Sequence, residues 1–228
     1  MSADKRTPRD GRRRRLGQNF LRPDLAEALA AQAAVGPRDL VVEIGAGRGA
    51  WTFALSRRAA RVVALEKDPV WAARLRDELR RRHVGNVDVV CCDALAYRMP
   101  RRPFHAVGSV PFGTTTAILR HLLEDADSGL QRADLVVQWE VARKRSAVPP
   151  TTMLSTAWAP WWSFEVGRRI PAAAFRPVPS VDAGLLTVTR RRPPLLPVYL
   201  APAYADFVRL HWTERVDGAS VRRGNPAR

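Results

Sequence analysis

The chain has 228 residues, enough for one substantial core plus a small appendage, and 38 lysines and arginines against 22 acids give it a formal net charge of +16. The excess is almost all arginine, whose forked guanidinium suits phosphate better than an ammonium does, so a polyanionic partner is expected. Its two cysteines, Cys91 and Cys92, are adjacent and its four histidines are scattered, which excludes a disulfide framework and zinc-ligand spacing and leads us to expect a cytoplasmic setting and no metal.

The opening MSADKRTPRDGRRRR carries seven basic residues in fifteen and no apolar segment able to serve as a signal-peptide core or membrane span, so residues 1–15 read as a flexible basic arm. PDLAEALAAQAAV then predicts a helix with Pro23 in its first turn, stopped by Gly36-Pro37. DLVVEIGAGRGAWTFALSRR predicts a buried strand, a glycine turn and a helix, and ARVVALEKDPVWAARLRDELRRRH repeats the pattern. NVDVVCCDAL, HAVGSVPF, ADLVVQWEV and WSFEVG supply further strands between helical stretches such as TTTAILRHLLEDA. LLTVTRR, residues 185–191, looks like a late edge strand, and the proline-broken basic tail has room for about two short helices. Strands alternating with helices predict an α/β fold with a mostly parallel, doubly wound sheet and ligands at the carboxyl ends of its strands.

Gly45, Gly47 and Gly49 follow the first buried strand, where missing side chains let a ligand approach the backbone. The run Gly45-x-Gly47-x-x-Ala50 also fits the dinucleotide fingerprint, so alone it does not separate a nicotinamide cofactor from S-adenosylmethionine. Two strand-end acids narrow the choice. Glu66 stands where a carboxylate can take both ribose hydroxyls, with a helix cap as its plain alternative, and Asp93 can accept a hydrogen bond from an adenine amino group. Three successive strand ends with these groups fit adenosylmethionine, since a dinucleotide needs a second phosphate-side half. Glu43 is expected under the glycine loop, and Cys91 and Cys92 are expected to be buried as small hydrophobes.

Methyl transfer to an adenine amine needs acceptors that grip the amine hydrogens and an aromatic face for the flipped base, rather than a strong base. In Ser-Val-Pro-Phe, Ser109 Oγ and the Val110 carbonyl can be those acceptors, Pro111 can stiffen the loop and Phe112 can stack on the base. A turn with a buried Phe is the plain alternative for the tetrapeptide on its own. Trp158, Trp161 and Trp162 are expected to pack at a strand–helix junction rather than stack on bases.

LGQNFL (16–21), VVEIGAGRG (41–49), VVALEKD (62–68), DAL (93–95), SVPF (109–112), VVQWEVARK (136–144) and AFRPVPSVDAGLL (174–186) together resemble the erythromycin-resistance (Erm) rRNA adenine N6-methyltransferases, within the wider KsgA/Erm dimethyltransferase group. The resemblance implies a Rossmann-like class I S-adenosylmethionine-dependent methyltransferase domain over 16–190, with a small, shortened, helical RNA-binding appendage over 191–228. It implies cofactor contacts at Asn19 and Leu21 from the QNF segment, at Gly45 and Gly47, at Glu66, and at Asp93 with Ala94, beside Ser109. It implies RNA contacts from Arg12, Arg13, Arg14 and Arg15, from Arg143, Lys144 and Arg145, and from the arginines near Phe175, with Phe175 as the second half of an aromatic sandwich and FRPVPSV as a wall of the cleft. The implied substrate is an adenine in the peptidyl-transferase region of 23S rRNA, naked or in a precursor particle, methylated by a monomer so that macrolides, lincosamides and streptogramin B no longer bind. A KsgA-type 16S dimethyltransferase is the alternative within the group. Ser109 stands where the family has Asn and the tail is short, which leaves a weakly active or non-catalytic RNA-binding relative as a further alternative, and the glycine loop alone leaves a nicotinamide-dependent oxidoreductase.

Overall fold

The structure is a computed structural model that describes residues 20–221, with side chains to residue 212. Asn19 and the arm residues Arg12 to Arg15 lie outside the described residues. In chain order the strands are β1 (Phe20–Leu21), β2 (Leu40–Ile44), β3 (Arg61–Glu66), β4 (Val87–Cys91), β5 (Phe104–Ser109), β6 (Leu130–Gln138), β7 (Trp162–Ile170), β8 (Phe175–Arg176) and β9 (Ala183–Arg190). Seven of them form one sheet in the order β4-β3-β2-β5-β6-β9-β7. β4 through β6 pair in parallel, and β9 runs antiparallel to both β6 and β7. The short β1 pairs antiparallel with β8 outside this sheet.

Strand periodicity divides the core. Val42, Ala106, Val137 and Leu186 face one apolar cluster, while their chain neighbours Val41, Val107, Val136 and Leu185 face another. The first cluster takes in the helix Thr115–Leu123 through Leu119, Leu122 and Leu123, and the second takes in the helices Pro23–Gln32 and Ala50–Ser56 through Leu29 and Leu55. The helix Pro69–Arg81 starts where local chemistry dictates: Pro69 occupies its first turn and the Asp68 side chain accepts from Val70 N at 2.9 Å.

Three expectations are corrected. LLTVTRR is not an edge strand, because β9 inserts between β6 and β7 and leaves β7 at the edge. Its residues Ala183–Val188 are buried on both faces, whereas Glu165–Arg169 of β7 face solvent. Among the described residues the tail holds one α-helix, Ala201–Val221, where about two short ones were expected. Pro202 falls in its first turn, where the absent N–H costs nothing, so no proline interrupts the later turns. Finally, Cys91 is exposed and Cys92 half-buried, because β4 is an edge strand with thinly covered faces. Trp158, Trp161 and Trp162 are all buried as expected. Trp161 joins the tail to the core, with its Nε1 donating to the Leu196 carbonyl at 3.0 Å and its ring edge-on to Tyr204.

Candidate active site

The strand order reverses between β2 and β5, and a crevice opens there at the carboxyl ends of the parallel strands. One continuous cavity runs across four of those ends. It is lined by Gly45, Gly47, Glu66, Asp93, Ala94, Ser109 and Pro111, with Leu21 of β1 on the facing wall. A Cβ added at Gly45 would lie 3.5 Å from the Ser109 carbonyl oxygen, so the glycine loop and the Ser-Val-Pro-Phe loop lie against each other.

Each lining acid has a different environment. Glu66 is 6% exposed, and its two carboxylate oxygens accept from Gly47 N and Asp68 N, both at 2.7 Å. Gly47 sits at φ +54°, in the left-handed region that presents this N–H to the carboxylate. Burial raises the Glu66 pKa above the ordinary carboxylate value, against the backbone N–H bonds that lower it. Asp93 is more open and takes Lys67 Nζ at 2.7 Å and Leu95 N at 3.0 Å, and the lysine holds its pKa below the usual range. Glu43 stands at the end of β2 and accepts from Thr52 Oγ1 at 2.6 Å, tying the strand before the loop to the helix after it. Burial pushes its pKa to about 7.

In the tetrapeptide, Ser109 and Pro111 face the cavity, and among the described residues the Ser109 hydroxyl makes no hydrogen bond. The Val110 side chain is buried and its N–H donates to the Val136 carbonyl at 3.0 Å, which pins the loop to β6. Thr114 Oγ1 and Thr115 Oγ1 donate back to the carbonyls of Pro111 (3.0 Å) and Phe112 (3.3 Å), bracing the turn. Phe112 is half-buried against the second apolar cluster and does not line the cavity.

Phe175 departs further from expectation. It is 1% exposed, its backbone pairs with Leu21, and no residue of FRPVPSV lines the cavity. An aromatic ring with no open face has nothing to offer a base, so this segment backs the β1 strap rather than walling the cleft. Arg143 and Lys144 are exposed, Arg143 near Glu140 at 3.4 Å, and both lie on the helix Trp139–Arg145 outside the cavity. Arg145 is half-buried, donates to Thr152 Oγ1 at 2.8 Å and covers the Trp158 ring, which is structural work.

Sequence reasoning missed Phe20, Arg48, Trp51, Lys67, Cys92 and Thr114, all of which line the cavity. Phe20 and Lys67 lay inside the family-like motifs, whereas Trp51 and Thr114 carried no signal beyond helix and turn propensity. The lining suits S-adenosylmethionine: a glycine loop with an open backbone, a buried carboxylate one strand on, an open carboxylate one strand further, and apolar walls from Ile44, Leu65 and Ile118. Among the described residues no three His, Cys, Asp or Glu side chains group as metal ligands, and no helix is long and apolar enough to cross a membrane.

A sequence profile described as ribosomal RNA adenine dimethylase matches residues 9–217. The chain is 42% identical over 212 residues to the mycinamicin-resistance protein MyrB of Micromonospora griseorubida, covering 91% of this chain and 65% of that protein. It is 39% identical over 178 residues to an rRNA adenine N-6-methyltransferase of Corynebacterium diphtheriae, covering 78% and 68%. The crystal structure of the 23S rRNA methyltransferase ErmE superposes with a TM-score of 0.79 at 34% identity, over 91% of this chain and 85% of that one. The chain thus spans about two thirds of the length of the curated relatives it matches.

Proposed function

The chain belongs to the ribosomal RNA adenine dimethylase family, and from that premise we propose that it is an Erm-type enzyme that methylates N6 of an adenine in 23S rRNA. The target lies in the macrolide-binding region, and its modification confers macrolide, lincosamide and streptogramin B resistance. The observation that carries this reading is the single cavity that brings Gly45, Glu66, Asp93 and Ser109 together across four parallel strand ends. The names of MyrB and of ErmE support the resistance role and the large-subunit target.

Bound S-adenosylmethionine supplies an electrophilic methyl group. Glu66 accepts from the ribose hydroxyls with the lone pairs not taken by Gly47 and Asp68. Asp93, held ionised by Lys67, accepts from the adenine amino group of the cofactor. Ser109 Oγ and the Val110 carbonyl would accept hydrogen bonds from the target amine and so orient its lone pair; with the methyl group given up by the sulfonium, S-adenosylhomocysteine would be the leaving group and one amine proton would pass to solvent. Pro111 fixes the loop, and the exposed part of Phe112 flanks the entering base. Residues 16–190 make up the catalytic part and 191–228 an RNA-binding appendage, working as a cytoplasmic monomer on naked 23S rRNA or a precursor particle.

The test is transfer of labelled methyl groups to defined 23S and 16S rRNA fragments, with mass measurement of the product. Labelling of a 23S fragment is expected, with Ser109→Ala at least about 10-fold slower and S-adenosylhomocysteine affinity unchanged. Labelling of 16S rRNA alone would move the chain to the KsgA branch, and tight cofactor binding with no transfer would make it a non-catalytic relative.

A further inference from the structure

Behind the glycine loop a second groove runs along the helix Pro69–Arg81, sharing only Gly47 and Arg48 with the cavity described above. Its character is arginine on aromatic rings. The Arg48 guanidinium lies 4.7 Å from the Phe20 ring centroid and 5.2 Å from that of Trp71, whose ring also carries Arg74 at 5.1 Å. At the far end Arg82 covers Phe53 at 4.4 Å. Two carboxylates in the wall are already neutralised, Asp77 by Arg80 and Glu78 by Arg81 and Arg82. Arg48 and Arg74 are exposed, and among the described residues neither has a carboxylate partner. A guanidinium stacked on a ring keeps its in-plane N–H forks open while its rotamer is held, so little ordering remains to be done when an oxyanion arrives.

We propose that this groove is a second RNA-contact surface, in which Arg48 and Arg74 bind phosphate oxygens of the strand flanking the target adenine. The proposal rests on the RNA substrate argued above and adds a location and ligands for its backbone. Charge and geometry favour RNA over a protein partner: the lining offers forked cations on rigid platforms beside the cofactor loop, with no large apolar face to bury. The groove also adjoins Phe20, which lies a few residues past the basic opening of the chain.

The test measures affinity for the 23S fragment from about 50 to 200 mM salt, for wild type, Arg74→Ala and the charge-matched control Arg168→Ala on the opposite edge of the sheet. Arg74→Ala is expected to weaken binding roughly 5-fold and to lower the steepness of log K against log salt by about 0.7–0.9, the signature of one lost phosphate contact. Its S-adenosylhomocysteine affinity and thermal stability should match wild type, and Arg168→Ala should keep the wild-type slope. An Arg74→Ala slope equal to wild type, or equal losses in the two variants, overturns the groove. Wild-type protein that binds the fragment without methylating it overturns the proposed function instead, and the slopes still decide the groove.

Discussion

Glu43, buried near the end of β2, and Asp93, in the wall of the cavity, are carboxylates shifted in opposite directions. Asp93 has Lys67 against it and stays ionised below the usual carboxylate range, whereas Glu43 is enclosed, has one hydroxyl partner and titrates at about 7. The consequence for stability has a definite sign. Below about pH 4.5 the Glu43 carboxyl is protonated whether the chain is folded or not; as pH rises from 4.5 toward 7 the unfolded chain loses this proton while the folded one keeps it. Folding stability from this group therefore erodes across that window and levels off above it. Glu43→Gln cannot titrate and still accepts from Thr52, so denaturant melts from about pH 4.5 to 8 should move the stability difference toward the variant by on the order of 2–3 kcal/mol. A difference that stays constant with pH would show that Glu43 does not titrate in this range. At this scale the sequence was legible where a residue's place in the cavity follows from its place after a strand, as with Glu66, Asp93 and Ser109. It was silent on Trp51 and Thr114, which reach the cavity only because of how their helix and turn are seated.

The turn from β2 into the helix Ala50–Ser56 shows how one element can be over-determined. Gly49 is the N-cap at φ +83°, and a Cβ there would lie 2.5 Å from Leu75 Cδ1 and 2.9 Å from Phe53 Cε2. Left-handed strain and overpacking then act together, so Gly49→Ala should destabilise the protein by about 1–3 kcal/mol, read as a lower Tm. A wild-type Tm would mean that Leu75 and Phe53 yield freely. The glycine pattern was visible in the sequence, while its second cause, the helix packed over it, was not. The same limit explains β9. Its continuous apolar run was readable, but whether such a run lies inside or at the edge of a sheet depends on the strand that comes to lie beside it, here β7.

At the scale of the whole molecule, the +16 charge makes salt the natural probe of function. Deleting residues 1–15, which carry seven of the basic groups, should weaken binding to the 23S fragment and flatten its salt dependence while leaving S-adenosylhomocysteine affinity unchanged. Equal slopes with and without residues 1–15 would leave the rest of the chain as the whole of the electrostatic contact. By itself the sequence determined the α/β class and the run of strand-end motifs, and it picked out Gly45, Glu66, Asp93 and Ser109, which come to line one cavity, because periodicity and a glycine or acid at a strand end are local properties. Only the tertiary structure decided that β9 lies inside the sheet, that Phe175 is buried behind β1, and that Phe20, Arg48 and Trp71 converge beside the glycine loop. Those outcomes depend on side chains far apart in the chain excluding water from one another, and no local pattern encodes which distant partner does so.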